Sequence, residues 1–244
     1  MKKIIFWTAL ISILVLLIGA CAKRDDDTAV TQWTVSCEDT TASGSITIGS
    51  DTASGTYLVQ TWNDAYLSRP ATGCNATTEH HGSPTGTQSV LQKRIVTSST
   101  SFVDHESYYS DTACTSRLGY IEKKYSNLSV GDQVSGLDSS SGRPTSGYRV
   151  TYNEDCAKIM GDTDAATASL NSSWSSYLLL ELLTTGTEKV FSLGFVAGQL
   201  GSTNYSIWGA GDNGTTYSFY SARGSTQSQP SDWDANSGGN TYQR

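Results

Sequence analysis

Short runs of strand-favouring residues recur along most of the chain, separated by Gly, Ser, Asn and Asp. They are Ser45–Ile48, Thr56–Trp62, Ser89–Thr97, Ser101–Tyr109, Leu118–Tyr125, Tyr148–Tyr152, Tyr177–Leu183, Lys189–Phe195, Tyr205–Trp208 and Thr216–Tyr220. Several alternate with period two. Tyr148, Val150 and Tyr152 fall on one face with Arg149 and Thr151 on the other, and Phe191, Leu193 and Phe195 oppose Ser192 and Gly194. Such a series predicts an all-β, antiparallel meander that closes as a β-barrel, with a β-sandwich as the alternative; closure is preferred because it removes exposed strand edges. Tyr177–Leu183 is too short to cross a bilayer as a helix and reads as a strand buried on both faces. At most one short helix is expected, over Thr163–Asn171, with Asp162 or Thr163 as its N-cap.

The pattern breaks down at both ends of the chain. Lys2-Lys3 precedes an uncharged, mostly apolar run to Ile18, then small residues Gly19-Ala20, then Cys21. These are the parts of a secretory signal. Ile18-Gly19-Ala20-Cys21 resembles the lipobox of bacterial lipoproteins. The resemblance implies that residues 1–20 are removed, that Cys21 carries a diacylglyceryl thioether, and that the mature chain begins there. An uncleaved anchor is the rival, since Ile4–Ala22 is uncharged and long enough to span; Lys23-Arg24 argues against it by placing basic charge on the wrong side. Ala22 after the Cys resembles outer-membrane sorting in well-studied lipoproteins. Residues 21–32, with Asp25-Asp26-Asp27 and no apolar periodicity, read as the acylated Cys and a flexible tether. A single β-barrel-like domain is expected over 33–220, and an irregular polar tail over 221–244.

Composition narrows the class of partner. The 244 residues are ample for one buried β core, 10% are aromatic, and Ser and Thr make up about a quarter. Net charge is −7; loss of Lys2 and Lys3 with the signal leaves 14 basic against 23 acidic residues, or −9. No basic footprint exists, so nucleic acid is not a partner class, and anionic headgroups repel the surface. The N-terminal lipid is then the membrane contact, and the expected location is the bacterial cell envelope. Cys21 aside, Cys37, Cys74, Cys114 and Cys156 read as two disulfides in an exported chain, with three possible connectivities.

No catalytic motif stands out. Gly209-Ala-Gly211-Asp-Asn-Gly214 spells a dinucleotide fingerprint, but strand-type residues follow where a helix is needed, so Asp212-Asn-Gly214 reads as a hairpin turn. Glu79-His80-His81 lies in a turn-rich stretch without spaced partner ligands, and His105 sits in a strand between Asp104 and Glu106. Asp162-Thr-Asp164 lacks the rest of a calcium loop. No cofactor, no metal and no enzymatic activity are predicted; a hydrolase built on a carboxylate pair ranks last. Trp33, Trp62, Trp174, Trp208 and Trp233 remain, as core residues or as an aromatic cavity lining.

Trp33-x-x-x-Cys37 followed by Tyr108-Tyr109-Ser-Asp111-Thr-Ala-Cys114 resembles small lipocalin-like, calycin-type β-barrel domains of bacterial envelope proteins, over about Trp33 to Tyr152. Lipocalins proper carry a Gly where this chain has Thr31. The resemblance implies a ligand-holding barrel with Cys37 bonded to Cys114 and Cys74 to Cys156. Trp33, Trp62 and Tyr109 are the candidate ligand contacts. The functional expectation is a lipid-anchored, non-enzymatic envelope lipoprotein binding a small hydrophobic or amphipathic molecule. The alternative is a surface recognition or adhesion module that uses Trp208 and Trp233, for instance on carbohydrate.

Overall fold

A computed structural model describes residues 37, 40–61, 74–76, 82–137, 144–174, 182–192, 203–212, 217–221 and 240–243. The chain divides into Met1–Thr34 and Val35–Arg244, and every described residue lies in the second unit. The signal and tether, Trp33, Trp62, His80, His81 and Trp233 lie outside the described residues. So does Tyr177–Leu183 except for Leu182 and Leu183, which are not in a strand.

The fold is all-β and antiparallel. β1 (Ser45–Ile48) and β2 (Asp51–Ser54) form a two-stranded hairpin, pairing Ile48 with Asp51. Gly49 turns the corner with φ +63°, and a Cβ there would lie 2.1 Å from the Tyr148 hydroxyl, so only glycine fits. The other ten strands make one sheet. They are β3 (Thr56–Thr61), β4 (Cys74–Ala76), β5 (Ser89–Val96), β6 (Phe102–Tyr109), β7 (Arg117–Ser135), β8 (Ser146–Gly161), β9 (Lys189–Ser192), β10 (Thr203–Asp212), β11 (Tyr217–Ser221) and β12 (Asn240–Gln243). Nine of the ten predicted runs are thus strands at least in part, and β7 and β8 extend well beyond theirs. β2, β4 and β12 were not legible as strands. β12 falls within the stretch expected to be an irregular tail, and it corrects that expectation for residues 240–243 by pairing with both β11 and β3.

Strands β5 to β8 form consecutive hairpins, and β5 and β8 each carry two neighbours on their outer edges. β5 takes β3 along Lys93–Ile95 and β4 along Ser89–Leu91. β8 takes β10 along Tyr148–Asn153 and β9 along Cys156–Ile159. β10 continues to β11, β11 to β12, and β12 to β3. The hairpin predicted after Gly209 is consistent with the pairing of Asp212 with Tyr217, although residues 213–216 lie outside the described set.

The one helix among the described residues, α1 (Asp164–Ser173), is close to its predicted span. Thr163 caps it, its side chain accepting from the Ala166 amide at 3.2 Å. Ala166, Thr167 and Leu170 are buried. α1 meets β8 closely enough at Gly161 that a Cβ there would lie 2.3 Å from Thr167 Oγ1.

Two large apolar clusters result, beside a small one of Leu137 and Ile207. The first joins Ile46, Ile48 and Ala53 of the β1–β2 hairpin to Tyr57, Val96, Phe102, Leu128, Val150, Tyr152 and Trp208. The second joins Val90, Tyr108, Ile121 and Ile159 of the sheet to Leu170 of α1, Leu183 and Phe191. Tyr148, Val150 and Tyr152 share a face as predicted, Val150 and Tyr152 being buried with Tyr148 packed against the cluster.

The disulfide pairing implied by the lipocalin resemblance is corrected. Cys37 is bonded to Cys156, and Cys74 to Cys114, with Cα–Cα distances of 6.2 and 5.8 Å. The reason is register. β4 sets Cys74 opposite Leu91, β5 sets Ser89 opposite Tyr109, and Ser89 Oγ donates to the Asp111 carbonyl, so Cys74 and the 110–116 loop meet at the same end of β5.

Candidate functional site

Alternation along β5 and β6 sends Val90, Gln92, Arg94 and Val96 to the face that carries Phe102, Asp104, Glu106 and Tyr108. The ends of both series are buried apolar residues of the two clusters; their centres are polar. Antiparallel pairing puts Arg94 opposite Asp104 and Gln92 opposite Glu106. The guanidinium donates twice to Asp104, from Nε to Oδ1 at 2.7 Å and from Nη2 to Oδ2 at 2.6 Å. Such a two-pronged bond fixes both side chains. Gln92 Nε2 donates to Glu106 Oε2 at 2.6 Å, while its buried Oε1 has no hydrogen-bond partner among the described residues. On the same face of β7 and β8, Lys123 Nζ lies 3.3 Å from Glu154.

A band of charge therefore crosses the core-facing side of the sheet between two apolar clusters. Its first border is aromatic. Phe102 stacks on Tyr125 at 4.7 Å and meets Tyr152 and Trp208 edge-on at 5.2 and 5.1 Å. The Arg94 guanidinium lies 4.5 Å above the Phe102 ring and 5.2 Å from that of Trp208, a cation held between π-faces. Burial, and then the charges of Glu154 and Asp104, push the Tyr125 phenol well above its ordinary range. Burial likewise outweighs the opposing pull of Arg94 and moves Tyr152 up to about 12. At the other border, burial and the neighbouring Glu106 carboxylate raise Tyr108.

Despite facing the core, the band is not sealed. The side chains of Asp104 and Lys123 keep 32% and 34% of their surface, beside neighbours such as Phe102 and Trp208 at 0%. Solvent thus reaches these groups, and the charged band with its apolar borders is the candidate cleft.

The opposite face of the same strands carries a second cluster. His105 pairs across to Glu122 of β7, and its Nδ1 lies 3.0 Å from Glu122 Oε2. Its Nε2 lies 2.8 Å from Ser107 Oγ. Lys158 Nζ stands 3.5 Å from the other Glu122 oxygen and 3.8 Å from Glu188. The Tyr120 ring stacks on the imidazole at 5.1 Å, while its hydroxyl donates to Glu188; burial and that carboxylate raise the phenol.

The predicted site residues fare unevenly. Tyr109 does not join the core-facing cleft: alternation turns it to the face opposite Tyr108, where it is half-buried beside Ser89 and Arg117. Trp208, expected as an exposed recognition residue in the alternative reading, is wholly buried against Phe102 and Arg94. Its strand pairs with β8 and points the indole into the first cluster. Trp174 packs against the second cluster and donates from Nε1 to the Gly82 carbonyl at 3.1 Å. Sequence reasoning missed Gln92, Arg94, Asp104, Glu106, Lys123 and Glu154. A signal existed for the first four: the centres of two adjacent strands become complementary in charge once folded back about residues 97–101.

Among the described residues, no group of three or more His, Cys, Asp and Glu is suited to hold a metal ion. No described helix is long and apolar enough to cross a membrane. Compared with known proteins, the chain matches no family model and no curated sequence.

Proposed function

We propose that this protein is a lipid-anchored lipoprotein of the bacterial cell envelope whose β-barrel domain binds a small amphipathic molecule. The barrel reading is supported by the pairings that lead from β3 through β5, β6, β7, β8, β10, β11 and β12 and back to β3. The lipobox resemblance at Ile18–Cys21 supports the anchor. Two disulfides fit an oxidising compartment outside the cytosol.

One observation carries the binding reading. Asp104 and Lys123 face the core yet stay about one-third accessible, between clusters that are otherwise closed. A core built only for stability gains little from such a band, because ion pairs withdrawn from water repay their desolvation poorly. A molecule with an apolar body and a polar head would meet both parts of the cleft, with the accessible Asp104 and Lys123 facing the head. The test titrates the purified protein with a dansylated C11 fatty acid. Saturable, stoichiometric fluorescence enhancement that is weakened in Lys123→Ala is expected; enhancement that never saturates removes the binding reading. Incorporation of labelled palmitate that disappears in Cys21→Ala tests the anchor separately.

A further inference from the structure

Ser107, His105 and Glu122 are hydrogen-bonded in the order that activates a serine hydroxyl. A carboxylate can only accept, so His105 Nδ1 carries the proton given to Glu122 Oε2 at 3.0 Å. In the neutral ring Nε2 then holds a lone pair, 2.8 Å from Ser107 Oγ, and the hydroxyl donates to it. This is the connectivity of nucleophile, base and orienting acid found on unrelated acyl-transfer folds. The three groups are fixed from behind. Strand pairing sets His105 directly opposite Glu122, Ser107 follows two residues along the same face, and Lys158 lies 3.5 Å from the second Glu122 oxygen. Tyr120, tied through its hydroxyl to Glu188, covers one face of the imidazole.

We propose that Ser107, His105 and Glu122 form a catalytic site for hydrolysis of esters with a short acyl group, on the face of the sheet turned away from the cleft. Ser107 Oγ attacks the ester carbonyl carbon and its proton passes to His105 Nε2. The tetrahedral adduct collapses to acyl-Ser107, and the departing alkoxide takes that proton and leaves as the alcohol. Water then attacks the acyl group, giving a proton to His105; Ser107 regains it as the carboxylic acid is released. Glu122 orients the ring and offsets the imidazolium charge; Lys158 and Tyr120 are positioning residues. Lys93 of β5 is set directly opposite His105 on this face and is the cation assigned to the developing oxyanion. The preference for a short acyl group follows from burial: His105 is 20% exposed, but Ser107 only 4%, so a bulky group cannot reach the hydroxyl.

The full, folded chain is treated with phenylmethanesulfonyl fluoride, followed by intact mass measurement and peptide mapping. One added group per chain, mapped to Ser107, is the expected result. Turnover of p-nitrophenyl acetate should exceed that of p-nitrophenyl palmitate, vanish in Ser107→Ala, and slow on the order of 10⁴-fold in Glu122→Gln while the circular dichroism of the wild type is kept. No sulfonylation of the wild type, sulfonylation mapped elsewhere, or acetate turnover that survives Ser107→Ala overturns the assignment. The mapping uses the wild type alone, so it decides even if a variant fails to fold. Neither outcome depends on ligand binding in the cleft.

Discussion

The two apolar clusters lie on the same core-facing side of β5 to β8, yet they are closed by different means. The first is covered by the β1–β2 hairpin and walled by long strands, with four aromatic rings gathered round Arg94. Only strands and their ladders build it. The second is covered by α1, Leu183 and four-residue β9, with the Cys74–Cys114 bridge and a tightly bonded loop nearby. Both ends therefore draw on contacts far apart in sequence, but the second adds a capped helix and a covalent staple. The charged band sits where these two solutions meet, and its openness is the space that neither cluster fills.

The largest effect should come from the first end. Trp208→Ala removes a wholly buried indole and one of the faces holding Arg94, and should cost about 3–5 kcal/mol, read as a loss in denaturant midpoint for the whole domain. Leu170→Ala, its counterpart beneath α1, should cost about 2–5 kcal/mol, but its amide-exchange protection should be lost first around α1 and β9. Equal loss of protection at both ends in both variants would show one indivisible core and dissolve the contrast.

Replacing both Cys74 and Cys114 by Ser opens a loop of 40 residues and should cost about 2–4 kcal/mol. The contrast predicts faster exchange near β4 and the 110–116 loop, with the β1–β2 hairpin and Trp208 amides unchanged. Uniform acceleration would mean that the bridge stabilises the entire sheet rather than its second end.

The smallest effect is a pH dependence at that same end. Desolvation raises the Asp111 carboxyl, but bonds from the Ser116, Thr115 and Ala113 amides and the Thr115 hydroxyl outweigh it and hold it down at about 2, against 3.8 ordinarily. A depressed folded value contributes stability that is complete above the ordinary pKa and is lost as pH falls through the folded one. The difference in melting temperature between the wild type and Asp111→Asn should therefore be constant above about pH 4 and shrink from there towards pH 2. A difference that persists at pH 2 would assign the loop's order to its neighbours and not to the carboxylate.

Much of the secondary structure was legible because it depends on near neighbours. The alternation of Tyr148, Val150 and Tyr152 and the Thr163 cap of α1 are local patterns, and both hold in the folded chain. Strand lengths were less so. β7 and β8 pair with each other through several register shifts, and a bulged strand breaks the period-two signal that would have extended it. β12 was hidden because Asn240–Gln243 is only four residues long and follows a polar, Gly-rich stretch, too short to show period two; its pairing with β11 and β3 places it there. The site was harder still. Tyr109 and Tyr108 are neighbours of one residue type, and only their position relative to the core separates cleft border from outer face.

The sequence by itself determined the class of fold, the helix α1 with its cap, and which four cysteines would be oxidised, because propensity, capping and composition act over a few residues or over the whole chain. Tertiary structure alone decided which cysteines meet, that Arg94 faces Asp104 inside while His105 faces Glu122 outside, and that Trp208 is core. Those outcomes depend on register: shifting a strand by one residue exchanges its faces, and nothing within the strand itself fixes which partner residue it will meet.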